Sequence, residues 1–357
     1  MIISESLVRA GADIFIGYPI TPSNLFYSYG KQRFPSFYAA PDEITVMQWM
    51  SGFAAAGKLP VTATAFPGLA LMVESLNMAY MMELPMVLIL TQRLGPSTGS
   101  ATTGAQGDLA ILNGIISGGY PLPVFCPSDF EDGWKLAEKA VRTAVDFRTP
   151  VVLLTSKEMI MTNKSFDLSV LPDIQKVERH KPQINGNYQP YKPDENLIPP
   201  FLPLGDENYQ VRINASTHDF DGMIRKNSPE SLYNTRRLKL KIEERKDELS
   251  EATWVRHPNA KSIMVTYGIS ADAARDAQHD LLKQGKPVDL LILKTLIPIT
   301  DSIYEGLDAY DQVVVIEENI GGQLKEMLFG KRQFSHVKQV NKIGSMISPK
   351  EIKEVWI

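Results

Sequence analysis

The sequence predicts an α/β protein, a parallel-sheet domain followed by a smaller α/β domain, and three observations carry that expectation. Between Ile14 and Ser156, short apolar runs alternate with longer amphipathic stretches; the alternation fails in a proline-rich segment; and it resumes after His257. Apolar runs of about four to eight residues without an alternating polar face suit strands buried on both sides, and helical periods between them supply the crossovers of β-α repeats. With 357 residues, 44% hydrophobic and 22% charged, the chain has length enough for two cores.

Taken in order, DIFIGYP, SFYAA, VTATAF, PMVLILTQ, LPVFCP and PVVLLTS are the expected strands of the first domain. EITVMQWMSGFAAAG, LALMVESLNMAYMM and DFEDGWKLAEKAVRTAV are expected helices between them. This places the first domain at residues 1–165. From Ser165 to Arg212 no period holds, and six prolines fall between Pro182 and Pro203, so this stretch reads as a connector wrapped on a surface. The segment SPESLYNTRRLKLKIEERKDELSEA then reads as one helix, with Ser228 as N-cap, Pro229 in the first turn, and its charges on a solvated face. Connector and helix together span 166–257. SIMVTYG, ADAARDAQHDLLKQG, VDLLILK and VVVIEEN define the second domain, 258–357.

A net charge of -4 gives no electrostatic reason to expect nucleic acid or an anionic membrane as partner. The single cysteine, Cys126, can form no internal disulfide and reads as a buried small hydrophobe. No Cys/His cluster has metal-ligand spacing, so no metal site is expected here and any redox centre belongs on another chain. The N-terminus has no basic segment leading into a long apolar core, and no apolar run reaches the roughly 18 residues of a membrane span, which points to a cytoplasmic setting.

In open parallel sheets ligands bind at the carboxyl ends of strands, so the loops there hold the chemistry. In GYPITPS, Gly17 to Ser23, Pro19 and Pro22 stiffen the chain, and Thr21 or Ser23 can cap the next helix while the other hydroxyl faces the crevice. Asp42 and Glu43 open the following helix, where carboxylates are favoured by the macrodipole. The segment TQRLGPSTGSATTGAQGD, residues 91–108, follows a strand with Arg93, four glycines and many hydroxyls. It suits either a flexible loop or an anion clamp in which Arg93 pairs a carboxylate, and it contains no Walker lysine and no dinucleotide fingerprint.

Together these strings resemble the α subunits of 2-oxoacid:ferredoxin oxidoreductases, above all the 2-oxoglutarate type. The resemblance rests on Gly17 to Ser23, Asp42-Glu43-Ile44, Thr62-Ala63-Thr64, Pro67-Gly68, Glu83-Leu84-Pro85, Gln92-Arg93, Gly95 to Gly99 and Gln106 to Leu109. It extends to His218-Asp219, Glu318-Asn319, Gly322-Gln323-Leu324 and Asn341-Lys342. It implies a pyrimidine-type thiamine-diphosphate-binding domain followed by a transketolase C-terminal-like domain. Glu43, nine positions before Gly52, matches the family acid that hydrogen-bonds N1′ of the aminopyrimidine and activates the cofactor. That role asks for a carboxyl kept from water, because burial favours the protonated form. Tyr18, Pro19, Ile20, Pro67 and Gly68 match positions lining the cofactor, Thr21 lies near the substrate, Arg93 faces the 2-oxoacid carboxylate, and Ser97 and Thr98 are candidates for a polar wall.

The implied reaction is oxidative decarboxylation of a 2-oxoacid, with coenzyme A as co-substrate and ferredoxin as acceptor, reversible with low-potential electrons. This chain has no G-D-G motif for magnesium and diphosphate, so a β subunit is expected to hold them. Iron-sulfur clusters are expected on partner chains, γ and ferredoxin-like subunits among them, in an (αβ)2 or larger heteromer. Departures from the family pattern fall near the pocket: Phe66 before Pro67, SATTGAQ without the family lysine, and Tyr120 where the family has histidine. They leave a branched-chain or aryl 2-oxoacid, or a catalytically reduced scaffold, as alternatives. His218 and Asp219 read as fixing a turn or a subunit contact rather than transferring protons, and Gly322-Gln323-Leu324 as the start of the last helix, packed on a neighbouring subunit.

Overall fold

The computed structural model describes residues 1–165, 167–184 and 186–356. Residue 166, where the connector was expected to begin, and residue 357, the last of the expected second domain, lie outside that set. Among the described residues the strands are β1 (Ile14–Gly17), β2 (Ser36–Ala39), β3 (Pro60–Thr64), β4 (Met86–Gln92), β5 (Val124–Phe125) and β6 (Pro150–Ser156). Then come β7 (Ala252–Val255), β8 (Ser262–Tyr267), β9 (Asp289–Leu293), β10 (Thr295–Ile297), β11 (Gln312–Glu317) and β12 (Val337–Asn341). They form a seven-stranded sheet, β10-β5-β6-β4-β3-β1-β2, and a five-stranded sheet, β12-β11-β8-β9-β7. The fold is therefore α/β, built on two mainly parallel sheets, as the apolar runs predict.

The central strands show why those runs lack polar alternation. Leu88 and Leu90 of β4 enter one core, while Val87 and Ile89 enter the core on the opposite face. The first of these cores also takes in Ile263, Val265, Leu291 and Leu293 of the second sheet, so the two sheets share apolar contacts through intervening helices. Truncating one such leucine to alanine removes buried surface and leaves a cavity, at a cost of about 2–5 kcal/mol.

Three strands escape the sequence pattern. β7 pairs antiparallel with β9, so the second sheet begins ahead of residue 258, on an edge strand that is only partly buried. β12 is also an edge strand, with one of its five residues buried, which leaves almost no hydrophobic signal. β10 comes from the second half of the chain yet joins the first sheet, pairing antiparallel with the two-residue β5 and covering that edge.

The connector is fastened to the amino ends of the first sheet. Arg179 donates to Asp13 Oδ2 at 2.7 Å and to the Gly57 carbonyl at 3.0 Å, and the Leu204 amide donates to the Ala55 carbonyl at 2.8 Å. The carboxyl ends of β1, β3 and β4 are thereby left to the loops that carry the site.

Ser228 caps the Pro229–Glu243 helix, its Oγ accepting from the Ser231 amide at 3.2 Å. The expected single helix stops at Glu243, and a separate turn, Lys246–Leu249, follows. Its charges are not all solvated. Arg237 and Lys241, one helical turn apart, are buried, and both donate to Glu83, itself fully buried. The helix Gln323–Phe329 is followed by another, Pro349–Lys353, so the Gly322 turn does not start the last one. Within this chain Gln323 docks on the first domain, its side chain donating to the Gly107 carbonyl at 2.8 Å and accepting from the Ala110 amide at 2.9 Å.

Candidate active site

β1 delivers the first loop beside β2 and β3. Gly17 is required there, because a Cβ would lie 2.8 Å from the Phe15 ring. Beyond it Tyr18 and Pro19 are exposed, and Ile20 and Thr21 half-buried. Ser23 is the N-cap of the Asn24–Arg33 helix, but its side chain makes no cap. Its Oγ lies 2.8 Å from the Thr64 carbonyl oxygen and 2.8 Å from Thr91 Oγ1. With one proton, it donates to the carbonyl and accepts from Thr91, tying the loop to the ends of β3 and β4. Thr21 does not cap either, since its hydroxyl accepts from Asn24 Nδ2 at 3.1 Å. The expected cap is absent because the buried strand ends offer Ser23 better partners.

The adjacent acids divide their labour. Asp42 caps the Glu43–Ala55 helix, accepting from the Thr45 amide at 2.7 Å. Glu43 is then free to turn inward, where it is 7% exposed, and among the described residues its carboxylate has no hydrogen-bond partner. Gly68, in the first turn of the Phe66–Met81 helix after Pro67, closes over it. A Cβ on Gly68 would come 2.7 Å from Glu43 Oε1 and 2.1 Å from Thr64 Oγ1. Gly68→Ala should therefore displace the Glu43 carboxyl: the variant is expected to fold, with thiamine diphosphate affinity of its assembled complex reduced at least tenfold in equilibrium dialysis. Unchanged affinity would show that Gly68 does not set the position of Glu43.

Arg93 leaves the end of β4 with 5% exposure and donates from Nη1 to the Thr21 carbonyl, so the first and third loops meet. Its Nε is buried without a partner, and so is Oδ2 of Asp108, which is likewise 5% exposed. Burial pushes the Asp108 carboxyl up to about 7, against the pull of Arg93. Ser97 and Thr98 lie instead at the exposed tip of a turn closed by the Leu94–Ser100 bridge, with no hydrogen bond to Arg93 or Thr21 among the described residues. The expected polar wall is not assembled from them in this chain. Gly99 makes the turn possible: its φ is 51°, and a Cβ would fall 1.6 Å from the Leu94 carbonyl oxygen.

Gln106 was named in the sequence only as part of a matching string, and the structure gives it a definite place. Neighbouring β8 and β11 leave in opposite directions along the second sheet, which makes the crevice between their carboxyl ends a topological switch point. Gln106 fills it. Its Nε2 donates to the Tyr267 carbonyl at 2.7 Å, its Oε1 accepts from the Glu318 amide at 2.7 Å and Ser270 Oγ at 2.9 Å, and its own amide donates to the Glu318 carbonyl at 2.8 Å. The second sheet thus holds the far end of the Arg93 loop. A buried glutamine carries no periodicity, so the sequence had no signal for this role. His218 and Asp219 do build a turn: Asp219 Oδ1 accepts from the Met223 amide at 2.9 Å, and His218 Nδ1 is 2.7 Å from the Ser216 carbonyl oxygen.

A buried carboxylate under a glycine, near the Thr64 hydroxyl at the end of a parallel strand and without a hydrogen-bond partner among the described residues, suits the pyrimidine end of thiamine diphosphate. The class is defined by the family model for pyruvate flavodoxin/ferredoxin oxidoreductase, thiamine diphosphate-binding, which matches residues 5–237. The 2-oxoglutarate synthase subunit KorA of Methanocaldococcus jannaschii is 30% identical over 98% of this chain and 95% of its own length. The ketoisovalerate oxidoreductase subunit VorB of Methanothermobacter thermautotrophicus is 29% identical over 97% and 92%. Among solved structures, 2-oxoglutarate:ferredoxin oxidoreductase from Magnetococcus marinus superposes with a TM-score of 0.90 at 24% identity. That likeness covers 99% of this chain and 63% of the other, and it shows a shared fold. The chain belongs to the 2-oxoacid:ferredoxin oxidoreductase family, as an α subunit. Among the described residues no helix is long and apolar enough to cross a membrane, and no group of His, Cys, Asp and Glu is arranged to hold a metal ion.

Proposed function

We propose that this α subunit serves the coenzyme A-dependent oxidative decarboxylation of 2-oxoglutarate, giving an acyl-CoA, carbon dioxide and reduced ferredoxin. The observations that support it most are the buried Glu43 carboxyl under Gly68, next to Thr64 at the end of β3, and Arg93 after β4 held on the Thr21 carbonyl of the loop after β1. Glu43 would hold N1′ of the pyrimidine, its carboxyl kept from water by Gly68 and able to exchange a proton there. Tyr18, Pro19, Ile20 and Pro67 would line the same end of the cofactor. Arg93, braced on the Thr21 carbonyl, would orient the oxoacid carboxylate with its remaining donors. Bound thiamine diphosphate supplies a nucleophilic carbon and an electron sink for the decarboxylation.

The rest of the machinery is assigned to partners. A β subunit would bind diphosphate and Mg2+, and γ and ferredoxin-like chains would carry the iron-sulfur clusters, in an (αβ)2 or larger complex in the cytoplasm. The KorA name of the Methanocaldococcus relative favours 2-oxoglutarate, while the VorB relative, at nearly the same identity, supports a branched-chain oxoacid as the second reading. The deciding experiment is co-expression with the β partner and an assay of oxoacid-dependent viologen reduction with coenzyme A. The highest kcat/KM is expected for 2-oxoglutarate. A higher value for 2-oxoisovalerate or an aryl oxoacid would replace the substrate, and no turnover across the panel in a complex that binds thiamine diphosphate would make the chain a scaffold.

A further inference from the structure

Asp108 does nothing that would ordinarily explain a buried acid. It stands at the start of the Leu109–Gly114 helix yet its side chain caps no amide there, and its Oδ2 has no hydrogen-bond partner. Its backbone is fixed: the second sheet grips Gln106 two residues earlier, and the Asp108 amide points to Gln92 Oε1 at 3.5 Å. No ion pair joins Asp108 to Arg93, but Arg93 is the cation whose charge is felt there, and it too has a buried donor, Nε, with nothing to bond. The other titratable group that faces Asp108 is Tyr267 on β8, buried and pushed well above its ordinary value by that burial, and so protonated. Glu317, the last residue of β11, and Glu318, just after it, face Tyr267. Glu317 accepts from the Leu324 amide at 2.8 Å, and Glu318 from the Ile347 amide at 3.0 Å.

We propose that Asp108 is a positioning residue for the substrate: it balances the Arg93 guanidinium before the oxoacid binds and takes up one proton from solvent as the oxoacid carboxylate engages Arg93. The inference rests on the reading of Arg93 given above. An incoming carboxylate draws the guanidinium charge away from Asp108 and adds a like charge beside it, and both effects favour the protonated acid. Asp108 already sits at about 7, raised by burial and opposed by Arg93, so the proton is available near neutral pH. By linkage, a substrate that prefers the protonated form loses affinity as pH rises above that value, by about tenfold per pH unit at the steepest.

The test uses the assembled holoenzyme and 2-hydroxyglutarate, which carries the same carboxylate and cannot be decarboxylated. Calorimetric titration at pH 8 in two buffers of different ionisation enthalpy counts protons. The wild type is expected to take up about one proton per site, with Kd rising up to about tenfold from pH 7 to pH 8. Asp108→Asn is expected to bind with a Kd independent of pH and without proton uptake. Absence of uptake in the wild type, a measurement that needs no variant, would overturn the proposal. So would uptake that survives in Asp108→Asn, which would point to Glu318, also pushed up to about 7 by burial. Arg93→Met separates the two levels. If it leaves binding intact, the carboxylate reading of Arg93 fails and Asp108 with it; if it abolishes binding while Asp108→Asn keeps the wild-type uptake, only the role of Asp108 falls.

Discussion

Glu43→Gln in the assembled complex is expected to lower kcat by about 10²–10⁴, the range lost when a positioned acid-base group is removed. Glutamine preserves the length and shape of the side chain, so the contact under Gly68 should survive and the melting temperature should hold. What it loses is the ability to exchange a proton with a ring nitrogen. Glu43 has no intrachain partner among the described residues, so no other hydrogen bond is broken by the change. The drop in kcat should therefore come with retained thiamine diphosphate and an unaltered oxoacid KM. It should be matched by slower deuterium exchange at C2 of the bound cofactor, followed by NMR. Wild-type exchange and turnover in this variant would remove Glu43 from catalysis and return it to the helix-start acid that its local sequence suggests.

That local suggestion shows what could be read from sequence. The buried strands β3, β4, β6, β8, β9 and β11 announce themselves because both faces are apolar. β7 and β12 do not, because at the edges of the sheet their side chains are mostly left partly or fully exposed, and β10 is too short to have a period. Glu43 and Arg93 could be singled out only through ordered resemblance, since an acid at a helix start and an arginine after a strand are common. Ser97 and Thr98 were drawn toward the pocket by the same resemblance, but the left-handed turn at Gly99 carries them to the surface. Gln106 and Asp108 could not be assigned at all. Their roles depend on burial and on partners more than 160 residues away in the case of Gln106, and nothing in local composition records either. The charged helix misled for a related reason. A row of Lys and Arg ordinarily marks a wet face, and only the tertiary position of Glu83 turns two of those charges inward.

That inward triad is the second place where a single substitution should have a large effect. Arg237 donates to both carboxylate oxygens of Glu83 and to the Leu197 carbonyl at 2.9 Å, and Lys241 donates to Glu83 at 2.8 Å and to the Arg148 carbonyl at 3.0 Å. Burial alone would raise the Glu83 carboxyl, but Arg237 and Lys241 outweigh it and hold the group well below the usual carboxylate range. A carboxyl depressed in this way contributes stability that is present above its unfolded pKa of about 4.3 and is lost only as pH falls through the lower folded value. Arg237→Met removes the two-pronged partner and leaves Glu83 buried against Lys241 alone, which should cost about 3–5 kcal/mol in denaturant unfolding at pH 7. Changing Glu83, Arg237 and Lys241 together to apolar residues should cost less than the single change, because no unpaired charge remains inside. A single-variant loss below about 1 kcal/mol would mean that water reaches the triad, as it does at exposed ion pairs. Glu83 ends the turn that feeds β4, and Arg93 directly follows the end of β4 at Gln92. Weakening the triad is thus expected to loosen the connector helix from the strand that leads into Arg93, coupling stability on one side of the sheet to the proposed oxoacid affinity on the other.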